Sequence, residues 1–245
     1  MRMFVLFLLA MPHAVGVFAA GNTLFEKIGA ISETCYGVRQ QVPRGYYRDG
    51  LQQPMIVALN CHREQISNGM RHIGFAYYES AISRDGESKL LYPYFPLSGH
   101  SLSSFPFSKA GQSAAYARSC CAGELQTARY GGVPYDKPRL PASYWESQDS
   151  MTSLGGTEAH KWGRADSVFI ADVPLNNRFQ TRYTHCIAIY MAREGYVPLY
   201  VKLMLTDKGY ADRSRRLKGI KGCLSYVSTP WQFDAEAVRT AILQG

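Results

Sequence analysis

The chain has 245 residues, a formal net charge of +8, 46% apolar residues and 13% aromatic residues. This composition excludes a wholly disordered protein, and the length is sufficient for a substantial buried core. The basic balance favours partners that carry negative charge, such as lipid headgroups, cell-wall polymers or an acidic protein, although solubility alone would also account for it.

Residues 1–19 have the pattern of a cleavable secretory signal peptide. Arg2 precedes an apolar run over residues 3–10, and Val17 and Ala19 occupy the −3 and −1 positions of a cleavage site. The alternative is a membrane anchor, but a spanning helix needs about 20 mostly apolar residues and this stretch is shorter. We therefore predict an exported, soluble protein of the periplasm or extracellular space without a transmembrane segment. Residues 20–245 are expected to form a single α+β domain.

Six cysteines follow the leader: Cys35, Cys61, Cys120, Cys121, Cys186 and Cys223. An even number behind a signal peptide predicts disulfide bonds. A bond between two adjacent cysteines conflicts with disulfide geometry, so the pair at 120–121 is expected to connect a loop at 118–123 to two other segments. The spacings fit no metal motif, and the sequence contains no cofactor motif, so neither group is predicted.

The first half of the exported chain predicts a short helix followed by an antiparallel meander. Apolar residues within 24–32 have helical spacing. Strands are then predicted at Met55–Leu59, Ile73–Ile82 and Lys89–Phe95, with turns at Ser67–Gly69 and Arg84–Glu87.

Residues 96–165 predict a long loop-rich region in the middle of the chain. Pro, Gly and Ser recur throughout it, and only residues 111–117 have a weakly helical pattern. Long irregular segments in compact domains are usually functional, and surface loops often carry binding or catalytic residues.

Regular structure resumes in the last third. An apolar strand is predicted over Ser167–Val173, and a hairpin joins Cys186–Met191 to Tyr196–Leu205, whose second arm alternates with period two. Thr206 or Asp207 can then cap a helix, and Asp234 can cap a terminal one. The predicted fold class is α+β, with a mostly antiparallel sheet, a C-terminal hairpin followed by helices, and stabilising disulfides.

One segment comes close to a catalytic motif. Gly99–Ser103 differs by one residue from the G-x-S-x-G nucleophile elbow of α/β-hydrolases, with Ser101 at the nucleophile position. His160 or His185, together with Asp172, would have to complete a triad. Ser103 replaces the final glycine of the motif, and Pro106 opposes the helix that should follow. A Ser/Pro-rich loop is therefore the preferred interpretation, and a secreted serine hydrolase is the alternative.

The helix predicted after the hairpin carries a basic stretch, formed by Arg213, Arg215, Arg216, Lys218 and Lys221. These side chains predict a binding patch for an anionic partner. The alternative is the ordinary solvated face of an amphipathic helix, where Lys and Arg are common.

The unit from Tyr200 to Ile220 runs from an alternating strand through a Thr-Asp cap into this basic helix. It resembles the strand-to-helix ending of some periplasmic immunity proteins that neutralise interbacterial toxins. The 17 tyrosines of the chain also favour a surface that makes contacts. We therefore predict a non-enzymatic exported protein that binds another protein, with toxin neutralisation as the specific form. A secreted toxin or adhesin is a further alternative, and no nucleic-acid partner is expected.

Overall fold

The computed structural model describes residues 33, 37–48, 55–57, 70–71, 75–93, 111–130, 133–134, 151–174, 182–196 and 198–227. Several predictions lie outside these ranges. They are the leader at 1–19, the helix over 24–32, the turn at Ser67–Gly69, the elbow at Gly99–Ser103 and the helix capped by Asp234.

The described strands are β1 (Val38–Gln40), β2 (Tyr46–Arg48), β3 (Met55–Val57), β4 (Met70–Arg71), β5 (Phe75–Ser83), β6 (Ser88–Pro93), β7 (Val133–Pro134), β8 (Met151–Gly155), β9 (Ser167–Pro174), β10 (His185–Ala192), β11 (Leu199–Leu205) and β12 (Leu224–Tyr226). The helices are α1 (Gln112–Tyr130), α2 (Gly156–His160), α3 (Asp207–Ala211) and α4 (Arg213–Gly219).

The predicted α+β fold with a mostly antiparallel sheet is confirmed. Within the described ranges, the main sheet has eight strands in the order β2-β5-β6-β11-β10-β9-β8, and β3 also pairs with β5. All of these pairs are antiparallel. Two small two-stranded sheets, β1-β12 and β4-β7, complete the described strands.

The C-terminal hairpin forms as its alternating pattern predicts. His185 of β10 pairs with Leu205 of β11, and the register continues to Met191 opposite Leu199. The turn closes through a hydrogen bond from the Tyr196 amide to the Arg193 carbonyl (3.1 Å), with Gly195 at φ +75°. That backbone conformation favours glycine because it has no Cβ. Pro198 lies just before β11, so its missing N–H interrupts no ladder bond.

Both faces of β10 and β11 are covered. Ile187, Ile189 and Leu203 point into a core that includes Trp162, Ile220 and Tyr226. Cys186, Ala188 and Met204 point to the opposite face, where α1 covers them. Successive side chains of a strand alternate between faces, so one hairpin supplies both cores.

The prediction of an irregular region over 96–165 is wrong for much of its described part. Residues 112–130 form the long helix α1, which packs against β9 and β10, and β8 and α2 follow at 151–160. The buried positions Ser113, Ala117, Cys121 and Leu125 recur every fourth residue along α1. The first three side chains are small, so the apolar stripe that would normally mark an amphipathic helix is weak in the sequence.

The predicted disulfides are not present among the described cysteines, and this prediction is corrected. Cys120, Cys121, Cys186 and Cys223 are all free thiols. The predicted loop at 118–123 is instead the middle of α1, where consecutive side chains point in different directions. Cys223 lies in the core on the other side of the sheet from Cys121 and Cys186. Cys35 and Cys61 lie outside the described residues.

The helix predicted after the hairpin begins as expected but is shorter and broken. The Thr206 hydroxyl caps α3 by accepting a hydrogen bond from the Gly209 amide (3.0 Å). The helix is interrupted at Asp212 before α4, which ends at Gly219, and the strand β12 follows. Gly209 is required for packing, because a Cβ there would collide with the Glu87 carbonyl oxygen. This close contact holds α3 on the turn between β5 and β6.

Candidate functional site: an arginine-lined cavity

A cavity of about 310 Å³ lies where the β5–β6 turn meets α4. We call it the arginine cavity, because three guanidinium groups contribute to its wall. Its wall includes Tyr46, Ser83, Arg84, Asp85, Arg215 and Arg216. They come from β2, from the end of β5, from the predicted turn at Arg84–Glu87, and from the basic helix. The cavity therefore joins parts of the chain that are far apart in sequence.

Arg216 forms the base of this arrangement. Its side chain is only 8% exposed, and its Nη2 donates to Asp85 Oδ2 at 2.7 Å. Nη1 donates to Ser88 Oγ at 3.0 Å and to Asp85 Oδ1 at 3.3 Å. The Nε of Arg216 is buried and has no hydrogen-bond partner in the part of the chain that the structure describes.

Asp85 is held as a carboxylate by its surroundings. The Arg216 guanidinium lowers the pKa of Asp85 well below its ordinary value, and the Ser83 hydroxyl (2.6 Å) and Glu87 amide (3.1 Å) also donate to it. Burial opposes this effect but is outweighed, because hydrogen bonds to the charged form favour ionisation. The pair is consequently charged on both sides at neutral pH.

The hydroxyl groups of Tyr46 and Ser88 support the ion pair of Arg216 and Asp85. The Tyr46 hydroxyl lies 2.7 Å from Ser88 Oγ, which also accepts from Arg216. Burial raises the pKa of Tyr46 above its ordinary value, so the phenol stays neutral. These contacts fix the orientation of Arg216 before any ligand arrives.

The rim of the cavity is exposed and basic. Arg84 is exposed on the β5–β6 turn, and its amide donates a hydrogen bond to the Gly45 carbonyl on the turn before β2 (2.9 Å). On the α4 side, Arg215 is 76% exposed and pairs with Asp212, with Nε 2.6 Å from Oδ2. Tyr47 is 53% exposed but does not line the cavity, because it follows Tyr46 on β2 and successive side chains of a strand face opposite sides.

The structure divides the predicted basic patch of Arg213, Arg215, Arg216 and Lys218 into different environments. Arg215 and Arg216 line the cavity. Lys218 is exposed, and Arg213 stacks over the Tyr210 ring at 4.5 Å. Arg216 was predicted to be a surface ligand group, but it is buried and paired. The four side chains therefore do not act as one exposed patch.

His185 and Asp172, considered for a hydrolase triad, each contact Tyr210 and do not pair with each other. The His185 and Tyr210 rings stack at 4.0 Å, and the Tyr210 hydroxyl donates to Asp172 at 2.7 Å. His185 Nε2 lies 2.9 Å from the Asp207 carboxylate, which also accepts from Thr184 and whose pKa these contacts lower. The histidine thus has a different acidic partner from the one considered in the sequence.

The other hydrolase candidates do not join this group in the described part of the chain. His160 lies on α2 beside a second cavity of about 410 Å³, together with Thr157 and Asp166. The nucleophile candidate, Ser101, lies outside the described residues. The catalytic hypothesis therefore stays a prediction without a structural test.

Sequence reasoning missed one buried polar cluster. Lys202 of β11 is 0% exposed and forms an ion pair with Glu124 of α1, which is 3% exposed. The Tyr190 hydroxyl donates to Glu124 Oε2 at 2.9 Å, and Lys202 Nζ lies 3.2 Å from the same hydroxyl. Lys202 occupied a polar position in an alternating strand, which normally indicates solvent. Only the position of α1 places it in the interior.

The cysteine thiols around this cluster are unreactive. Burial raises the pKa of Cys120 to about 11 and that of Cys121 to about 12, and it raises that of Cys186 as well. Because their pKa values are raised, these cysteines stay protonated near neutral pH. Only the thiolate is reactive, so these thiols are poor nucleophiles. Their role in the described structure is packing.

Searches of protein-family models, of curated proteins and of solved structures each found no match to this chain. Among the described residues, no three metal-ligating side chains gather into a group. In the same ranges, no helix has both the length and the apolar character that crossing a membrane requires.

Proposed function

We propose that this chain is an exported protein that acts by binding another macromolecule, and specifically a periplasmic immunity protein that neutralises an interbacterial toxin. The export signal at 1–19 and the resemblance of Tyr200–Ile220 to immunity proteins motivate the compartment and the class. The partner is a protein that binds the molecule at the arginine cavity.

The arginine cavity is the observation that carries this proposal. Binding energy at protein interfaces is concentrated in a few aromatic and arginine side chains that are held in place before association. Arg216 is fixed by Asp85 and Ser88, Tyr46 lies in the same wall, and Arg84 remains exposed. The cavity thus combines a rigid base that includes an aromatic side chain with an accessible basic rim.

A competition between the parent bacterium and a strain that lacks this gene tests the function. If the protein neutralises a toxin of its own organism, the deletion strain is killed or outgrown when it is mixed with the parent. Expression of the full chain restores survival, whereas a version without residues 1–19 does not, because it stays in the wrong compartment.

Equal survival of the deletion strain and the parent contradicts the immunity proposal. Rescue by the version without residues 1–19 contradicts the need for export. Labelling of the protein by a fluorophosphonate, abolished by Ser101→Ala, would instead support the hydrolase alternative. Each result points to a different function.

A further inference from the structure

We infer that the arginine cavity receives the carboxylate of an acidic side chain from a protein partner, an inference that rests on the proposed function. Three features carry it: an unused donor on Arg216, a nearly balanced local charge, and a small cavity with an aromatic side chain in its wall.

The first feature is the incomplete hydrogen bonding of Arg216. A guanidinium has five N–H donors, and Asp85 and Ser88 occupy only its Nη1 and Nη2 ends. The buried Nε lacks an acceptor among the described residues, and a buried unsatisfied donor costs free energy. Arg216 also forms part of the cavity wall, so this incompletely bonded guanidinium lies next to the space that a carboxylate would enter.

The second feature is the local charge. The cavity contains the guanidiniums of Arg84, Arg215 and Arg216, opposed by the carboxylate of Asp85 in the wall and that of Asp212 beside Arg215. One additional carboxylate would balance these charges. Arg84 provides the exposed guanidinium that a carboxylate can engage through two parallel hydrogen bonds.

This balance distinguishes a protein partner from a polyanion. Nucleic acids and anionic membranes bind best to extended surfaces of one sign, where several phosphates are neutralised together. Here Asp85 and Asp212 interrupt the arginines, and Lys208 on the neighbouring helix lies 3.8 Å from Glu87. A surface of mixed charge is complementary to another folded protein and selects against uniform negative charge.

The third feature is the size and wall of the cavity. Its volume of about 310 Å³ is at the small end of ligand pockets, so it suits a side chain better than a large ligand. Tyr46 of β2 forms part of the cavity wall, so its ring offers apolar contact next to the charged centre. An arginine–carboxylate contact beside an aromatic side chain is a typical anchor in protein interfaces.

The direct test uses the purified exported chain and a fluorescently labelled Gly-Ser peptide that carries one central glutamate, titrated at low salt with anisotropy as the readout. Arg84→Glu and Arg215→Glu should each weaken peptide binding by about tenfold or more. Lys218→Glu is the matched control, because it makes the same charge change on α4 outside the cavity. It should weaken binding by no more than about twofold.

Arg213→Glu separates the cavity from the basic helix as a whole. If Arg213→Glu and Lys218→Glu weaken the peptide as much as the cavity variants, general electrostatics explains the binding and the inference fails. It also fails if the wild-type chain does not bind the peptide. Arg84 and Arg215 are exposed, so unfolding is not expected, and thermal unfolding of each variant checks this point.

Single-stranded oligothymidine and phosphatidylglycerol vesicles form the comparison arms. If either binds more tightly than the single-glutamate peptide and loses binding in the cavity variants, the site recognises phosphate and the carboxylate assignment is wrong. In the competition experiment, loss of protection with Arg84→Glu or Arg215→Glu supports the inference. Full protection by both variants refutes this inference and leaves the immunity proposal intact. Equal survival of the deletion strain and the parent refutes immunity, and the peptide titration then tests the cavity separately.

Discussion

The two faces of strands β10 and β11 are both buried, yet they are built from different side chains. On one face, aliphatic residues such as Ile189 and Leu203 fill the core. On the other, small residues such as Ala188 and Ala117 allow α1 to lie close to the sheet. The second face also encloses the ion pair of Lys202 and Glu124. The stability of the first face comes from filled volume, and that of the second also depends on satisfied charges.

This difference predicts unequal responses to substitution. Loss of apolar volume is partly relieved by relaxation of the surrounding side chains. A buried charge whose partner is removed has no comparable relief, because desolvation of the remaining ion is costly. The α1 face should therefore be the more sensitive to a single change and the easier to rescue by a paired change.

The largest effect is expected from Glu124→Leu. This change leaves the Lys202 ammonium buried without its carboxylate, and it should lower the free energy of unfolding by about 3–5 kcal/mol, measured by urea denaturation. The double variant Glu124→Leu/Lys202→Met removes both charges and should recover most of the loss. If the double variant is as unstable as the single one, the charge explanation is wrong.

A somewhat smaller effect is expected on the aliphatic face. Leu203 is 0% exposed, and Leu203→Ala should lower the free energy of unfolding by about 2–4 kcal/mol through lost burial and a residual cavity. Leu154→Ala is the matched control, since Leu154 packs against the same core but is only partly buried. Equal losses in the same denaturation measurement would show that burial does not set the cost on this face.

The smallest effect is expected at the half-exposed Asp85 carboxylate of the arginine cavity. Arg216 lowers the folded-state pKa of Asp85, so this contact stabilises the fold above the unfolded pKa of about 4 and is lost as pH falls through the folded value. The Asp85 side chain is 47% exposed, so the contribution is on the order of 1 kcal/mol. Wild type should therefore lose more stability than Asp85→Asn between about pH 4 and pH 2.

Chemical denaturation at a series of pH values measures this difference. Above about pH 5 the gap between wild type and Asp85→Asn should be constant, because Asp85 is ionised in both the folded and unfolded states. Parallel curves down to pH 2 would contradict the assignment of a depressed pKa to this carboxyl.

Local sequence patterns predicted much of the described sheet. The period-two arm before Leu205, the turn at Arg84–Glu87 and the cap at Thr206 all form as expected. These features depend on neighbours within a few residues, so alternation and capping preferences are sufficient to identify them. The arrangement of α1 was not predictable in this way, because Ser113, Ala117 and Cys121 in its buried stripe are small and only Leu125 is large and apolar.

The same distinction between local and long-range features applies to the candidate site. Arg215 and Arg216 were recognisable in the basic stretch. The inward direction of Arg216 and its pairing with Asp85, 131 positions earlier in the chain, depend on α4 packing against the β5–β6 turn. Likewise, Lys202 has an ordinary polar position in a strand, and only the covering helix makes it a buried charge. Strands, turns and caps follow from short-range chemistry. Burial, and with it the partner of each charge, is set by contacts between distant segments.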